Sequence, residues 1–505
     1  MGFSSLLYLL FCIPLGASDV RIPSEDWTRN HEWLTQLGVK PPGSPLGLDQ
    51  PWNPPYSKRS LVVPAHWLHR GAPETVDAEL LRKDLVVLEQ VMANTYSGWA
   101  TAANLGWDWR KFFDEAKSEL AGKGTLPGKT AFGFWAKLMD FQLDNHSGPV
   151  PGYGMGFSSR TATLRSVPKG PCTHVRTASG AVVALNPRDA AQQPKQTLDV
   201  NLERIHYIAY PGREELQAVE CAGEWIELEL SWRAPAKDRI QDLLGLSQAT
   251  EDGPAFRRID ADIAYLRLPT FSKANNEKLM QLEKSIQGRG EKILIVDLRR
   301  NGGGDNRLNA IENWVRVPRV DAWNRLSDSC LYPALRWGYA VTSSAGLKPP
   351  ISNSLRRGLE WAAGELFKKS PEGCPSKFVE NQATWQYVSR QPWAKPKGKT
   401  RILALVDNGC GSDCEYAVLL LSAIPGTVIA GQNTFGVVQF TQPGYFVLPN
   451  TRHLFRIALG NSDPYGDRRS FDGYGFDVDV FLNTRESQQA EGILKLARRL
   501  MNSPK

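Results

Sequence analysis

The sequence predicts an α/β fold, on observations from its C-terminal half. An amphipathic stretch through Leu279, Leu282 and Ile286 leads into the apolar segment ILIVDL, and the apolar segment ILALV leads into a helical run that begins near Ser412. The last segment, TRESQQAEGILKLARRLMN, has helical periodicity. Alternating strands and helices of this kind bury their apolar faces in a layered core. Because 505 residues exceed what one hydrophobic core usually sustains, two or three domains are expected.

The N-terminal part of the chain is predicted to be a signal peptide, residues 1–18, followed by an extended arm, residues 19–75. The segment MGFSSLLYLLFCIPLGAS contains about a dozen apolar residues and ends in small side chains, which is too short to span a bilayer and is typical of a signal peptide. The arm is rich in Pro, Gly and Trp, a composition that favours a segment wrapped over the body. We therefore expect a secreted or periplasmic protein without stable membrane insertion.

Residues 76–160 are predicted to form a helical domain. Leu81, Leu85, Leu88 and Met92 recur at helical spacing and make one apolar stripe, which the segments WDWRKFFDEAKSEL and AFGFWAKLMDFQL continue. This domain carries His146, in the polar turn DNHSG.

Residues 161–255 are predicted to form a small β-rich domain, and residues 256–505 the α/β core. In the β-rich part, short runs such as AVVAL, RIHYIAY and EWIELELSW are broken by Gly and Pro. Its position suits a PDZ-like peptide-binding module, although no motif for one is present. The core is expected to contain an insertion at about residues 305–397.

The composition excludes several classes of function. The formal net charge of +7 is spread along the chain without a basic tract, so no nucleic-acid partner is expected. No CxxC pair or neighbouring histidine supports a zinc site, so neither a metal nor another cofactor is expected. The oligomeric state is left open.

The cysteines suit an oxidising compartment, because an even number remains after the signal peptide. Proximity in sequence favours Cys172 with Cys221 and Cys330 with Cys374, although six cysteines allow 15 connectivities. For Cys410 and Cys414, separate pairings and one short bridge are equally open.

Ser412 lies in the segment GCGSDCE, where a buried strand breaks into a helix. A helix N-terminus has unpaired N–H groups and positive partial charge, which suit a nucleophilic hydroxyl and the oxyanion that it generates. The alternative role is structural, because Ser412 and Glu415 have the spacing of a capping box. The two interpretations are compatible, since a cap and an oxyanion use the same N–H groups. Cys414 is disfavoured as a thiol nucleophile because it lies almost a turn into the helix.

A glycine-rich turn in VDLRRNGGGDN follows the other buried strand. A phosphate-binding loop is disfavoured, because Asp305 and Asn306 stand where a Lys-Ser or Lys-Thr pair would be needed. A strand end without side chains can instead donate a backbone N–H to an oxyanion. We expect Gly303, or alternatively Gly302, to be one donor and Asp413 the other.

A serine nucleophile also needs a base, and His146 is the candidate among the seven histidines. It follows a predicted helix in a polar turn, where an imidazole is exposed at a helix end. A structural histidine is the alternative. Asn145-His146-Ser147 is also a glycosylation sequon, which a buried active site would keep from being used.

Four motifs in order resemble the C-terminal processing peptidases, the tail-specific serine proteases: VDLRRNGGG, VDNGCGSDCE, the TFG turn at 434–436, and FDGYGFDVDV. The resemblance runs from about residue 85 to the C-terminus. It implies a crotonase/ClpP-like ββα core preceded by a helical domain and a small β-rich domain. It also implies a protein or peptide substrate.

The resemblance assigns roles to individual residues. Ser412 is the nucleophile, because it stands three residues before the glutamate of an SxxE-type segment. Many family members pair this serine with a lysine after the TFG turn, but here that position is Val437, which cannot accept a proton. The chain therefore resembles the tricorn-core branch, with His146 as the base and Asp413 beside the serine. Asp472 stands in place of the family's glutamate as the acidic partner, or is only a turn acid.

We therefore expect a secreted serine endopeptidase that hydrolyses peptide bonds through Ser412, His146 and Asp472. The alternative is a catalytically inactive member of the family that binds peptides or other ligands, which the missing lysine and the shorter acid motivate. A zymogen-like open site is a third alternative, since Ser412 and His146 lie in different predicted domains.

Overall fold

A computed structural model describes a large part of the chain. The described residues are 61, 63, 74–99, 108–138, 144, 146–150, 158–185, 189–212, 215–230, 253–271, 278–279, 281–282, 284, 286, 290–304, 324–327, 331, 335, 338, 378–381, 400–462 and 471–502. The expected signal peptide, nearly all of the expected arm, most of the expected insertion, Asn145, Cys330 and Cys374 lie outside them.

The elements are numbered in chain order over the described residues. The strands are β1 Thr75–Asp77, β2 Thr125–Pro127, β3 Gly148–Val150, β4 Ser158–Leu164, β5 Cys172–Thr177, β6 Val182–Ala184, β7 Lys195–Leu198, β8 Arg204–Gly212, β9 Leu216–Cys221, β10 Glu224–Leu230, β11 Ala255–Arg258, β12 Ile263–Arg267, β13 Ile293–Asp297, β14 Asn324–Ser327, β15 Phe378–Asn381, β16 Arg401–Val406, β17 Val428–Gly431, β18 Phe440–Val447, β19 Leu454–Ser462 and β20 Val480–Phe481. The helices with defined bounds are α1 Ala78–Thr95, α2 Trp109–Leu120, α3 Gly128–Leu138, α4 Asp413–Ser422, α5 Arg485–Gln488 and α6 Ala490–Asn502.

Helix α1 buries the apolar stripe that the sequence predicts. The four stripe residues, Leu81, Leu85, Leu88 and Met92, are all buried. The Asp77 carboxylate caps α1 by accepting from the N–H groups of Glu79 and Leu80 at 2.8 and 3.1 Å. Burial of one helical face against its neighbours supplies most of the stability of such helices.

The core strands and the β-rich strands belong to one sheet. The order of this 13-stranded sheet is β11-β12-β13-β16-β17-β20-β7-β8-β4-β10-β9-β5-β6. Its strands β12, β13, β16, β17, β20 and β7 pair in parallel, and the strands from β7 to β6 pair antiparallel. A disulfide between Cys172 and Cys221 joins β5 to β9. The predicted α/β class is confirmed, as a mixed fold around a large mixed sheet.

The parallel strands are covered on both faces. Leu294 and Val296 of β13 face a core that includes residues of α4. Their neighbours Ile293 and Ile295 face a second core that includes residues of α6. Because side chains alternate along a strand, a strand between two helical layers is apolar throughout. The strands β13 and β16 therefore end at a fixed edge, where the glycine turn and Ser412 follow them.

A second, smaller sheet connects the helices to the core. Its order is β15-β14-β19-β18, and β3 also pairs with β19. Buried Asp84 of α1 holds the turn between β18 and β19, because its carboxylate accepts from the backbone N–H groups of Asn450 and Thr451 at 3.1 and 2.7 Å. The short strand β3 follows His146 directly, so this sheet carries the histidine turn.

Candidate active site

Ser412 occupies a strained backbone position between β16 and α4. It is the residue before the helix, with φ of +56° and ψ of −123°. A non-glycine residue in such a conformation costs on the order of 1–3 kcal/mol and persists only where its surroundings enforce it. Ser412 is partly exposed, so its hydroxyl lies at a helix N-terminus within reach of solvent.

The carboxylate of Glu415 connects the elbow to the TFG turn. It accepts from the N–H of Ser412 at 3.1 Å and from the N–H groups of Gly436 and Val437 at 2.7 and 2.8 Å. The hydroxyl of Thr434 donates to it at 2.6 Å. Burial raises the pKa of Glu415 to about 7, although these hydrogen bonds act in the opposite direction. The bond from the Ser412 N–H to the Glu415 carboxylate, which is one half of the expected capping box, is thus present. The same carboxylate also bonds residues outside its own helix.

Gly303 of the glycine turn packs directly against the elbow. Its φ is +93°, and a Cβ placed on it would lie 2.9 Å from the Cβ of Ser412 and 2.9 Å from the backbone nitrogen of Asp413. Only glycine fits so close an approach. The N–H of Gly303 donates to Oδ1 of Asn301 at 2.9 Å, whereas Gly302 is exposed. The structure therefore brings the serine, Asp413 and the glycine turn together.

Val437 lies on the other side of the elbow. Its Cγ2 is 3.1 Å from the position that a Cβ on Gly411 would take. The position after the TFG turn is therefore filled by a buried apolar side chain beside the serine. This side chain has no group that could accept a proton from Ser412.

The turn that carries His146 is fixed by partly buried hydrogen bonds. The carboxylate of Asp144 accepts from the N–H of His146 at 2.7 Å and from the hydroxyl of Ser147. The same hydroxyl accepts from the N–H of Ala458 in β19 at 2.9 Å. Burial also raises the pKa of Asp144 to about 6. The turn is thereby attached to the second sheet.

The imidazole of His146 is in its neutral form at ordinary pH. Burial, with a smaller contribution from the charge of Arg456, lowers the pKa of His146 to about 3, and hydrogen bonding to the Phe440 backbone acts in the opposite direction. Its Nδ1 is buried and has no hydrogen-bond partner among the described residues. A general base must be neutral before it accepts a proton, but a pKa of about 3 lies far below the pH at which such a base is most effective.

Asp472 is buried near the same backbone. Its carboxylate accepts from the N–H groups of Gln439 and Phe440 at 2.8 and 3.4 Å. Burial and the neighbouring Asp144 carboxylate raise the pKa of Asp472 well above its ordinary value. Among the described residues, no hydrogen bond joins His146 to Ser412 or to Asp472; the backbone of Phe440 is the contact that His146 and Asp472 share.

A disulfide between Cys410 and Cys414 brackets the serine. Both cysteines are buried in the core beneath the elbow. The observed bridges are thus Cys172 with Cys221, which proximity in sequence favours, and the short one around Ser412. Cys414 accordingly offers no free thiol.

Sequence reasoning assigned no role to Asn301 or Asp144, which hold the glycine turn and the histidine turn. The signal was present for both, because Asn and Asp commonly bond the backbone two residues on. Over the part of the chain that the structure describes, no group of three or more His, Cys, Asp or Glu could hold a metal ion. No described helix is long and apolar enough to cross a membrane.

Comparison with protein families gives one match. The sequence model described as Peptidase family S41 matches residues 262–324. These residues include β12, β13 and the glycine turn but not Ser412, His146 or Asp472. The match supports a relationship with S41 peptidases. No curated protein matches the chain significantly.

Several solved structures align with the chain at low similarity. Mature CPAF is 14% identical, with a TM-score of 0.42 over 84% of this chain and 98% of that chain. The photosystem II D1 C-terminal processing protease is 14% identical, with a TM-score of 0.33 over 83% and 96%. The tricorn protease is 12% identical, with a TM-score of 0.37 over 84% of this chain and 37% of that chain. At this level of similarity, these structures assign no residue roles.

Proposed function

We propose that this protein is a serine peptidase with Ser412 as its nucleophile. The observation that carries the proposal is the strained elbow: Ser412 has positive φ at a helix N-terminus, with Gly303 packed against its Cβ. A strained strand-to-helix turn is the mount that exposes a nucleophilic hydroxyl in other hydrolases. The family match over the adjoining glycine turn supports the same chemistry.

In the proposed reaction, the hydroxyl oxygen of Ser412 attacks the scissile carbonyl while His146 takes the hydroxyl proton. His146 returns that proton to the leaving amine as the C–N bond breaks, and water then hydrolyses the acyl-enzyme. Asp413 and Gly303, with Gly302 as the alternative to Gly303, donate to the oxyanion. Asp472 is the proposed orienting acid for His146.

The base assignment is supported by the position of the His146 turn. A pKa of about 3 makes the imidazole of His146 neutral but weakly basic, so the proposed reaction requires its pKa to rise when substrate binds. Its turn is attached to β19 next to β18, and β18 begins at Phe440, whose backbone contacts both His146 and Asp472. The proposal requires His146 to move to within hydrogen-bond distance of Ser412 when substrate binds.

The proposal extends to the tail-specific, tricorn-like architecture and to secretion. On this view, the parallel strands and α4 form a crotonase-like core, and the helices and antiparallel strands form separate domains. Two disulfides are compatible with an oxidising compartment. The substrate is then an exported protein or peptide.

Labelling with a fluorophosphonate probe tests the nucleophile. The wild-type protein should be labelled on Ser412, and Ser412→Ala should lose both the label and peptide cleavage while keeping its circular dichroism spectrum. Ser422→Ala is the matched control, because Ser422 lies at the exposed end of the same helix. Labelling that persists on Ser412→Ala would show that another residue is the nucleophile.

A non-catalytic peptide-binding protein is the second candidate function. It is favoured by Asp472, whose carboxylate accepts from backbone N–H groups and not from His146. This candidate predicts that the wild-type protein is neither labelled nor able to cleave, yet binds peptides with an affinity that Ser412→Ala leaves unchanged.

A further inference from the structure

Gln439 lies between the elbow and the histidine turn. It stands two residues after Val437, which packs beside the elbow, and one residue before Phe440, whose backbone contacts His146. Two residues of extended chain span at most about 7 Å, so the backbone of Gln439 is close to both parts of the site. Its side chain is half-buried. A peptide that extends over several residues from Ser412 can therefore contact it.

The backbone of Gln439 is committed to other segments of the protein. Its N–H donates to the carboxylate of Asp472 at 2.8 Å, and its carbonyl accepts from the N–H of Ser462 at 2.6 Å. An open strand edge would present such groups to an incoming chain, but here both are already paired. The side chain is thus the part of Gln439 that is left to bind a ligand.

The carboxamide of Gln439 has a defined orientation. Its Oε1 accepts from the N–H of Phe471 at 3.1 Å and from the N–H of Asp472 at 3.4 Å. Because both partners are donors, the atom that they contact is the oxygen, and the other atom is the Nε2 donor. Over the part of the chain that the structure describes, Nε2 has no hydrogen-bond partner. The side chain therefore holds a neutral donor that these residues do not use.

We propose that Gln439 is a substrate-binding residue whose Nε2 donates to a backbone carbonyl of the bound peptide. The inference rests on the proposed function and deepens it, because it concerns how the substrate is held. A peptide that covers Nε2 removes its water, which costs binding free energy unless the peptide supplies an acceptor. Every residue of a peptide has a backbone carbonyl, so this contact recognises the peptide backbone whatever the side chains are.

The test is Gln439→Glu, assayed by steady-state cleavage of a fluorescence-quenched peptide that the wild-type protein cleaves. One oxygen of the glutamate can still accept from Phe471 and Asp472, while the other replaces the Nε2 donor by an acceptor. We expect kcat/KM to fall by roughly 10-fold to 100-fold, because two acceptors then face each other. Most of the change should be in KM, as for an interaction that the bound substrate and the transition state share.

Fluorophosphonate labelling separates substrate binding from damage to the nucleophile. The probe reacts with the hydroxyl of Ser412 but contains no peptide bond, so it does not use the proposed contact. The labelling rate of Gln439→Glu should therefore fall by less than about threefold, while kcat/KM falls by the larger factor.

Gln439→Met distinguishes substrate binding from a purely structural role. Methionine has neither the acceptor for Phe471 and Asp472 nor the donor. If Gln439 only braced these two N–H groups, Gln439→Glu would behave as wild type and only Gln439→Met would be impaired. Substrate binding predicts instead that both variants raise KM and that Gln439→Met also lowers the melting temperature. Thermal unfolding should confirm that each variant is folded at the assay temperature.

Gln193→Glu is the matched control. Gln193 is also half-buried, and its carboxamide accepts from the N–H of Cys172 at 2.8 Å and donates to the carbonyl of Cys172 at 3.0 Å. The same chemical change at this residue should leave KM and the labelling rate at their wild-type values.

The outcomes separate the inference from the proposed function. If wild type cleaves the peptide and Gln439→Glu cleaves it with the wild-type KM, the inference is wrong while the proposed function stands. Equal losses of cleavage and labelling in Gln439→Glu would also overturn the inference. If wild type neither labels nor cleaves, the proposed function itself fails.

Discussion

The nucleophile half and the base half of the candidate site are held in different ways. Ser412 is surrounded by short-range bonds: Glu415 holds its N–H, Gly303 packs on its Cβ, and a disulfide closes around it. His146 is fixed through its backbone by Asp144, while its ring nitrogen Nδ1 has no partner in the described part of the chain. The proposed nucleophile half thus has its parts in contact, whereas in the proposed base half no hydrogen bond among the described residues joins His146 to Ser412 or Asp472.

The difference follows from where each half lies in the chain. The serine half is built at the ends of two adjacent parallel strands, β13 and β16, which pair residue by residue. The base half joins a turn before β3 to β18 and to the segment around Asp472, which are distant in sequence. The proposed reaction therefore requires more rearrangement in the base half than in the nucleophile half.

Replacing His146 should have the largest effect. His146→Ala should lower the rate of peptide cleavage by roughly 1,000-fold or more, because no other described group supplies the base, while the protein stays folded. Steady-state cleavage by purified protein measures the effect. His453→Gln is the control, since burial lowers the pKa of His453 as well, to about 4, but its ring packs on Trp135. Full activity of His146→Ala would remove the base half from the mechanism.

The two disulfides that the described residues form should separate effects on stability from effects on activity. In the loop-entropy model, removing the bridge between Cys172 and Cys221, 49 residues apart, costs about 4 kcal/mol, and removing that between Cys410 and Cys414, 4 residues apart, costs about 2 kcal/mol. Two variants are compared, each with both cysteines of one bridge replaced by serine. Urea unfolding should show the larger loss of unfolding free energy in the variant without the long bridge. The labelling rate should fall more in the variant without the short bridge, because only that bridge encloses Ser412.

We expect the variant without the short bridge to label roughly tenfold more slowly, which corresponds to about 1.4 kcal/mol of lost alignment. The variant without the long bridge should label at the wild-type rate below its unfolding transition. Equal labelling by both variants would mean that the elbow keeps its geometry without the disulfide.

Much of the nucleophile half could be predicted from sequence, because its signals are local. The spacing of Ser412 and Glu415 indicates a cap, and consecutive glycines after an apolar strand indicate close backbone approach. The α/β class could be predicted for the same reason, from apolar periodicity. Neither signal predicts that the Glu415 carboxylate bonds the TFG turn, because that contact depends on tertiary packing.

The base half was less accessible to sequence reasoning. The polar turn around His146 favours an exposed imidazole, but the structure leaves His146 only half-exposed and buries its Nδ1, since β3 and β19 pair beside it. Likewise, the partners of Asp472 are backbone groups of β18 and the residue before it. Contacts between segments so far apart leave no periodic pattern, so their chemistry becomes visible only in three dimensions.

The pH dependence of the labelling rate is the smallest expected effect, and it distinguishes the nucleophile half from the base half. Burial raises the pKa of Glu415 from an ordinary 4.5 to about 7, so between these values the native protein keeps a proton that the unfolded chain has lost. The contribution of Glu415 to stability therefore falls as the pH rises through that window. Its four donors fit the ionised form, so the labelling rate should rise through an apparent pKa near 7.

Glu415→Gln assigns that rise to the nucleophile half. The glutamine amide points N–H hydrogens at groups that are themselves hydrogen-bond donors. Labelling at pH 8 should therefore be roughly tenfold slower, and the rise near pH 7 should disappear. His146, with a pKa of about 3, is already neutral in this range and cannot produce the rise. Glu291→Gln is the control, because Glu291 is a buried carboxylate just before the opposite end of β13 and pairs with Arg258 at 2.9 Å. A rise that survives in Glu415→Gln would assign the titration to the base half, where Asp144 has a pKa of about 6.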